Sequence, residues 1–336
     1  MKSRLLDVED FLKYSAPLID VRSPSEFKRA HIPGAINLPL LDDEMRHAVG
    51  LTYARKGRQE AVREGLRVSA NWLPLLSEKL EEVSSLQALR IYCWRGGMRS
   101  NAMAFLAGLL GVPSLVLDGG YKAYRRVAHE TFQKPWKLVV LGGMTGSGKT
   151  DKLKELKAAG QQVLDLEGLA SHKGSVFGHL GQGAQPTTEH FENLIFEILR
   201  QFDSTRPVWV EDESITVGRC FIPRALFDQM QRAPLLWPEV GRNERARRLA
   251  LEYGTVAPQE LIDAVEKIAR RLGLQRASQI KEMIASGALM EAAEYLLDYY
   301  DKAYQICINR RAQDLIFRFS DYPDINQMIA WAEQQF

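Results

Sequence analysis

The run Lys137-Leu138-Val139-Val140-Leu141-Gly142-Gly143-Met144-Thr145-Gly146-Ser147-Gly148-Lys149-Thr150 decides the fold. Its apolar opening predicts a buried strand. Gly143, Gly146, Ser147, Gly148, Lys149 and Thr150 then set out the pattern Gly, any four, Gly-Lys-Thr ahead of a helix. A loop in that position turns backbone N–H groups toward a phosphate at the helix N-terminus. Lys149 would neutralise a diphosphate there, and Thr150 is the candidate Mg²⁺ ligand. The loop does not select its ligand: an Asn-Lys-x-Asp stretch that would pick out guanine is absent, and nothing selects adenine.

Upstream lies a second strand, loop and helix. Leu89-Arg90-Ile91-Tyr92 leads into Cys93-Trp94-Arg95-Gly96-Gly97-Met98-Arg99-Ser100, with Ser100 read as the N-cap of a helix over 101–110. Gly96 and Gly97 let the backbone curl around a ligand. Cations and aligned N–H groups beside a cysteine favour the thiolate. Cys93, Arg95 and Arg99 are therefore the candidate catalytic residues, a nucleophile in an anion-holding loop.

Working outward, short strands over 17–22, 35–38, 89–92 and 114–118 alternate with helices over 25–30 and 101–110, the pattern of a parallel sheet covered by helices. After a link at 131–136, further strands are predicted over 137–141, 162–166, 207–211, 233–237 and 315–319. Between them, Leu261, Val265, Ile268 and Leu272, then Leu289, Ala293, Leu296 and Tyr300, fall at helical spacing. The expected organisation is a first domain over 1–130 and a second over 131–240, interrupted by a helical insertion over 241–310 and completed by a return to the sheet and a C-terminal helix over 311–336. A length of 336 residues suits two cores rather than one. The three cysteines, Cys93, Cys220 and Cys307, are too few and scattered for a disulfide framework or a zinc site, which fits a reducing cytoplasm. The N-terminus meets Asp7, Glu9 and Asp10 before any apolar core forms, unlike a secretory signal. The uncharged stretch 101–117 is broken by Gly108, Gly111 and Pro113, so no membrane span is expected.

Three further groups carry candidate roles. Glu211, Asp212 and Glu213 close a predicted strand, where carboxylates could support a metal through water or activate a nucleophile. His172, Lys173 and Ser175 lie in a glycine-containing stretch after another strand and form a candidate substrate loop. Arg242, Arg245, Arg247, Arg248, Arg270 and Arg271 are candidate contacts to nucleic-acid phosphates, although interleaved Glu244, Glu252 and Glu260 also suit a solvated mixed-charge face.

The first 130 residues resemble the rhodanese family. The resemblance rests on Asp20-Val21-Arg22, Glu26-Phe27, His31-Ile32-Pro33-Gly34-Ala35-Ile36-Asn37 and Asp118-Gly119-Gly120-Tyr121-Lys122-Ala123-Tyr124. It implies a rhodanese-like parallel-sheet domain that carries sulfur, or an analogous chalcogen, on Cys93. The five residues between Cys93 and Arg99 give the spacing of phosphatases that share this fold, but Tyr92 stands where many of those place His. With the cysteine loop, 142–150, Asp165-Leu166-Glu167-Gly168-Leu169-Ala170 and Trp209-Val210-Glu211-Asp212-Glu213-Ser214 in this order, the whole chain resembles the tRNA 2-selenouridine synthase family. That resemblance implies an α/β chain, a rhodanese-like domain joined to a P-loop NTPase-like α/β domain. Its substrate would be tRNA with 2-thiouridine at the wobble position, geranylated with geranyl diphosphate and then selenated with selenophosphate. No tightly bound cofactor is implied; selenophosphate synthase is a candidate partner, and no membrane is involved. The phosphate loop would hold the diphosphate, Cys93 would carry selenium, and Arg95 and Arg99 would steer selenophosphate. The geranyl tail needs an apolar groove, for which the helical insertion is the candidate. Three other readings stand beside this one: an ATP-dependent sulfurtransferase acting on tRNA, a cysteine phosphatase, and a binding module without catalysis.

Overall fold

The computed structural model describes residues 3–84 and 88–336, with the side chains of residues 303, 307 and 310 set aside. The chain divides into two compact units, Met1–Thr131 with Glu192–Leu194, and Phe132–Phe191 with Ile195–Phe336.

The first unit runs β1 (Arg4–Leu6), α1 (Val8–Lys13), β2 (Leu18–Asp20), α2 (Pro24–Arg29), β3 (Ile36–Asn37), α3 (Asp43–Lys56), α4 (Arg58–Ser69), α5 (Leu73–Ser84), β4 (Leu89–Tyr92), α6 (Met98–Leu109), β5 (Ser114–Leu117) and α7 (Gly120–Gln133). Its five strands are all parallel, in the order β1-β5-β4-β2-β3. Parallel strands are covered on both faces and so read as continuous apolar runs, which is why 89–92 was legible. Leu89, Ile91 and Met103 are fully buried with Leu76 and Leu80 of α5. Helices α3 to α5 were not foreseen. α3 buries no residue, and α4 buries Ala61 and Ser69 among otherwise polar surroundings, so neither presents an apolar stripe to read. Ser100 is also corrected. The helix begins at Met98 with Gly97 at the N-cap, and Ser100 lies inside its first turn.

The second unit runs β6 (Leu138–Leu141), α8 (Lys149–Ala158), β7 (Gln162–Leu164), α9 (Leu166–Ala170), α10 (Thr188–Leu199), β8 (Val208–Glu211), β9 (Thr216–Val217), β10 (Cys220–Phe221), α11 (Arg224–Arg232), β11 (Leu235–Pro238), α12 (Arg242–Tyr253), α13 (Pro258–Leu272), α14 (Leu274–Ala285), α15 (Leu289–Arg310), β12 (Ile316–Phe319) and α16 (Ile325–Glu333). Its main sheet is parallel, in the order β12-β11-β6-β8-β7, beside a small antiparallel pair of β9 and β10. β6 is central, so the phosphate loop at its end and the carboxylates that follow β7 and β8 emerge along one carboxyl edge, the ligand-binding edge of such sheets. One face packs Val139, Leu141, Trp209 and Leu236 against Leu153 and Met328. The run read as strand to 166 stops at Leu164, because the Asp165 carboxylate turns back to accept from Gly168 N and starts α9. After β11, helices α12 to α15 intervene before β12 pairs with it, from Leu235 opposite Ile316 to Pro238 opposite Phe319. These helices build their own apolar core around Val265, Ile268, Ile280 and Ile284. Among the described residues no helix is long and apolar enough to cross a membrane.

Candidate functional site

The cysteine loop stands on a rigid base. Asp20 at the end of β2 takes hydrogen bonds from the Arg22 guanidinium and, at 2.7 Å, from Tyr92 Oη. Arg22 sits over the Tyr121 ring, 4.0 Å from its centroid. Burial and the Asp20 carboxylate push the Tyr92 phenol well above its ordinary range, so it stays a neutral donor. Above this base Cys93 is buried, its Sγ 3.3 Å from Ser100 Oγ, which donates to Gly97 O at 3.0 Å. Tyr121 N donates to Cys93 O and Lys122 N to Trp94 O, so the start of α7 clamps the loop. The clamp requires Gly120: with φ +59, a Cβ there would fall on Cys93 O and Gly96 N. Among the described residues, no backbone carbonyl accepts from the N–H groups of Arg95, Gly96 or Gly97. That leaves an anion cradle at the N-terminus of α6.

The two arginines of the loop differ. Arg95 is exposed, while Arg99 donates to both oxygens of Glu26, at 2.6 and 3.3 Å. Arg46 adds a second ion pair to the same carboxylate at 3.1 Å. Burial would raise Glu26, but Arg99, the Ser23 N–H and Arg46 outweigh it and hold it below its ordinary value. Glu26 is thus the carboxylate that holds Arg99 beside the cysteine loop. Its only signal in the sequence was its place in a rhodanese-like motif.

The phosphate loop is equally prepared. Ser147 N is taken by Met144 O, whereas among the described residues the N–H groups of Thr145, Gly146 and Gly148 have no backbone acceptor. Lys149 Nζ donates to Gly143 O at 2.8 Å and lies 5.4 Å from the Tyr304 ring centroid. Burial works against its charge, but Tyr304, Tyr322, Glu167 and Glu213 outweigh burial, so it stays a cation. Thr150 Oγ1 donates to Glu167 Oε2 at 3.2 Å, and Glu211 Oε1 accepts from Glu167 N at 2.7 Å.

The three acids of 211–213 separate in role. Glu213 is buried beside Glu167; burial and that neighbour raise it well above the usual carboxylate range, with Lys149 opposing. Glu211 is raised by burial and then by Asp165, and its Oε2 has no partner among the described residues. Asp212 accepts from Arg311 at 2.9 Å, and Arg311 also donates to Met230 O and Ala233 O, a tie within the fold.

The candidate substrate loop is largely committed to its own structure. His172 is buried, lowered by burial and then by His179, and its Nδ1 has no partner among the described residues. Lys173 pairs with Glu252 at 2.5 Å, and Ser175 Oγ accepts from Phe177 N at 3.2 Å. Ser175 also reaches an apolar cavity shared with Thr145 of the phosphate loop and Leu249 of α12.

The arginines read as nucleic-acid contacts divide. Arg245 is overturned in that role. Its side chain is 5% exposed and holds Asp301 through two 2.8 Å contacts, with a further bond to Thr145 O, so no phosphate can reach it. Arg248 donates from Nη1 to Ser147 O at 2.9 Å and lies against Gly148, which places it on the phosphate loop. Arg242 pairs with Asp298, and Arg247 and Arg248 hold Glu244 at about 2. Arg270 and Arg271 are exposed on α13. Tyr304 and Tyr322, which flank Lys149, gave no signal in the sequence.

A cysteine loop on one parallel sheet and a phosphate loop on another define a rhodanese-like domain joined to a P-loop-type domain. Residues 4–127 match the rhodanese-like domain, and residues 136–335 match the family described as tRNA 2-selenouridine synthase AAA domain. A tRNA 2-selenouridine synthase of Cupriavidus pinatubonensis is 34% identical to this chain, covering 93% of it and 95% of the relative. A protein of the same name from Cupriavidus necator is 34% identical over 95% of each chain. Another, from Sulfurovum sp., is 34% identical over 93% of this chain and 94% of its own. The chain belongs to the tRNA 2-selenouridine synthase family.

Proposed function

We propose that this protein converts 2-thiouridine at the tRNA wobble position to 2-selenouridine through an S-geranyl intermediate. The observation that carries the reading is the pairing, on one chain, of a buried cysteine beneath Arg95, Gly96 and Gly97, whose N–H groups have no backbone acceptor among the described residues, with a phosphate loop in which the same holds for Thr145, Gly146 and Gly148 and Lys149 is held by Gly143 O. The names of the relatives supply the nucleoside and the element.

In the first step the 2-thio sulfur attacks C1 of geranyl diphosphate. The C–O bond breaks and diphosphate leaves, its charge met by Lys149, Arg248 and the loop amides. Thr150 and Glu167 fit a Mg²⁺ that takes most of its ligands from phosphate and water. Such an ion would add charge stabilisation to the departing diphosphate. Alkylation makes the C2 substituent a better leaving group. In the second step selenium from selenophosphate replaces it: the C2–S bond breaks, a C2–Se bond forms, and geranylthiol and phosphate are the products once water has taken up the phosphorus. Cys93 is proposed to serve this second step, in which selenium passes to C2 at the selenide level it already has in selenophosphate and no perselenide forms on the sulfur; Arg95 and Arg99 receive the selenophosphate oxyanion. Arg242, Arg247, Arg270 and Arg271 are the exposed arginines of that group proposed to meet tRNA phosphates, the first two by leaving Asp298 and Glu244, and a selenophosphate synthase is the class of enzyme that would supply the donor.

The test is nucleoside mass spectrometry of a 2-thiouridine anticodon stem-loop incubated with the protein, geranyl diphosphate and selenophosphate, without ATP. A geranylated nucleoside followed by a selenonucleoside is expected. Conversion only when ATP is supplied would overturn this reading in favour of ATP-dependent sulfur transfer. In Cys93→Ser, geranylation should persist and selenation should disappear; selenation that survives would remove Cys93 from the second step.

A further inference from the structure

The helical insertion carries an open pocket of about 690 Å³, and no residue of either anion loop lines it. That volume is in the range of sites for small ligands. Gly273, with φ +89, lets the chain turn from α13 straight into α14. The pocket lies between that turn, the start of α12 and the first half of α15. Two guanidinium groups meet in it. Arg242 and Arg276 each donate to a different oxygen of Asp298, and Arg276 also donates to Tyr295 O at 2.8 Å. The Arg276 guanidinium carbon lies 5.5 Å from the centroid of the Tyr295 ring, which is 39% exposed, and Arg276 Nε has no partner among the described residues. Gln275 and Gln279, one turn apart on α14, line the same pocket and are exposed. Within it Arg242 and Arg276 are balanced by Glu294 and Asp298, and the surplus charge comes from Arg270 and Arg271, exposed just before Gly273.

These groups define a ligand class. Two arginines joined by one carboxylate would hold a phosphodiester in its place, since a phosphate offers a similar pair of oxygens. An exposed aromatic ring gives a base a face to stack on. Amide side chains exchange hydrogen bonds with the Watson–Crick edge of an unpaired base. A free nucleotide has the same chemistry, but the position of α12 favours a polymer. Arg242, first in that helix, lines the pocket, and Arg248, six residues on, donates to Ser147 O of the phosphate loop. The rise between them is about 9 Å, the length of about three stacked nucleotides.

We infer that this pocket holds an unpaired nucleotide of the tRNA, its base against Tyr295 and its phosphate on Arg242 and Arg276 in place of Asp298. The inference rests on the tRNA reading above and adds where a nucleotide other than the reacting one is gripped. Asp298 is then a resident competitor: it keeps the two arginines together in the free protein and gives way to a phosphate. Because the grip is on an unpaired base, it tells an anticodon loop from a duplex.

The experiment is fluorescence anisotropy of a labelled 2-thiouridine anticodon stem-loop titrated with the full chain at several salt concentrations. A duplex of the same length is titrated beside it, and the four ribonucleoside monophosphates serve as competitors. Tyr295→Ala should weaken the stem-loop about tenfold and the duplex less than about twofold, whereas Tyr295→Phe, which keeps the ring, should stay within about twofold of wild type. Arg276→Gln should lower the slope of log affinity against log salt by about one. Asp298→Asn, which removes the competitor, should tighten the stem-loop by about threefold or more. A wild-type melting curve shows each variant folded. Should Tyr295→Ala not fold, Gln279→Glu, at an exposed position, sets a carboxylate against the phosphate and should weaken the stem-loop by about threefold or more. Unchanged affinity in folded Tyr295→Ala, an equal loss on stem-loop and duplex, or an unchanged salt slope in Arg276→Gln would overturn the pocket. So would a monophosphate that displaces the stem-loop at the stem-loop's own affinity, which would assign the site to a free nucleotide. Wild-type protein that neither binds the stem-loop nor converts its 2-thiouridine would overturn the tRNA reading itself. Wild-type binding and conversion that Tyr295→Ala leaves unchanged would overturn this inference alone.

Discussion

At the scale of the residue, the charges around each anion loop are already spoken for, and this sets what a ligand must displace. Arg99 is held by Glu26, so under the proposed chemistry selenophosphate has to compete with a carboxylate. Glu26→Gln keeps a side chain able to accept from Ser23 N but removes the charge, and the KM for selenophosphate should fall by roughly threefold to tenfold; an unchanged KM would mean that Arg99 does not meet the donor. Among the described residues Lys149 Nζ donates to Gly143 O and lies near the Tyr304 ring, and under the proposed chemistry it turns from that carbonyl to a phosphate. Lys149→Ala should slow geranylation by about 100-fold or more, read by nucleoside mass spectrometry, and intact geranylation would sink the diphosphate assignment. The sequence exposed Cys93, Arg95, Arg99 and the loop from Gly143 to Thr150 because their spacing is itself the chemistry. It could not rank Glu211, Asp212 and Glu213. That ranking depends on Arg311, about a hundred residues away, claiming the middle one.

At the scale of the element, α12 is a strut for the phosphate loop rather than a nucleic-acid face along its whole length. Arg245 is locked between Asp301 of α15 and Thr145 O, and Arg248 reaches Ser147 O. Removing the carboxylate leaves a buried guanidinium without its partner. Asp301→Ala should lower stability by about 2 kcal/mol or more in denaturant titration and loosen diphosphate binding as well. A change below about 0.5 kcal/mol would show the pair to be dispensable. The arginine cluster was visible in the sequence, but its division was not, because the carboxylate that holds Arg245 lies on another helix, whereas Arg247 pairs with Glu244 of its own helix and stays exposed. The helices α3 and α4 escaped for a related reason: a helix that buries almost nothing leaves no apolar period in its sequence.

At the scale of the whole molecule, two parallel sheets were legible from apolar strands followed by glycine-bearing loops, whereas the apolar cavity was not, since six separate segments wall it. Stability should also carry the mark of the buried acids. Glu213 has a folded value raised well above its ordinary 4.5, so its contribution is fully present below that value and is lost as pH rises through the folded one. The Tm of the wild-type protein in metal-free buffer should therefore fall as pH rises above the ordinary 4.5, and Glu213→Gln should flatten that fall; parallel curves for the two proteins would refute the assignment. Under the proposed chemistry the two loops act in succession on one nucleoside, so a mixture of Cys93→Ser and Lys149→Ala proteins should form 2-selenouridine that neither makes alone. A mixture that stays inactive would mean that the alkylated tRNA never leaves its first host. Because both loops belong to one reading frame, their copy numbers are fixed at one to one, and no change in expression can favour either half. Only the supply of their donors can. The ratio of geranylated to selenated tRNA, followed by mass spectrometry across growth media, then becomes a gauge of how much selenium the cell has to spend.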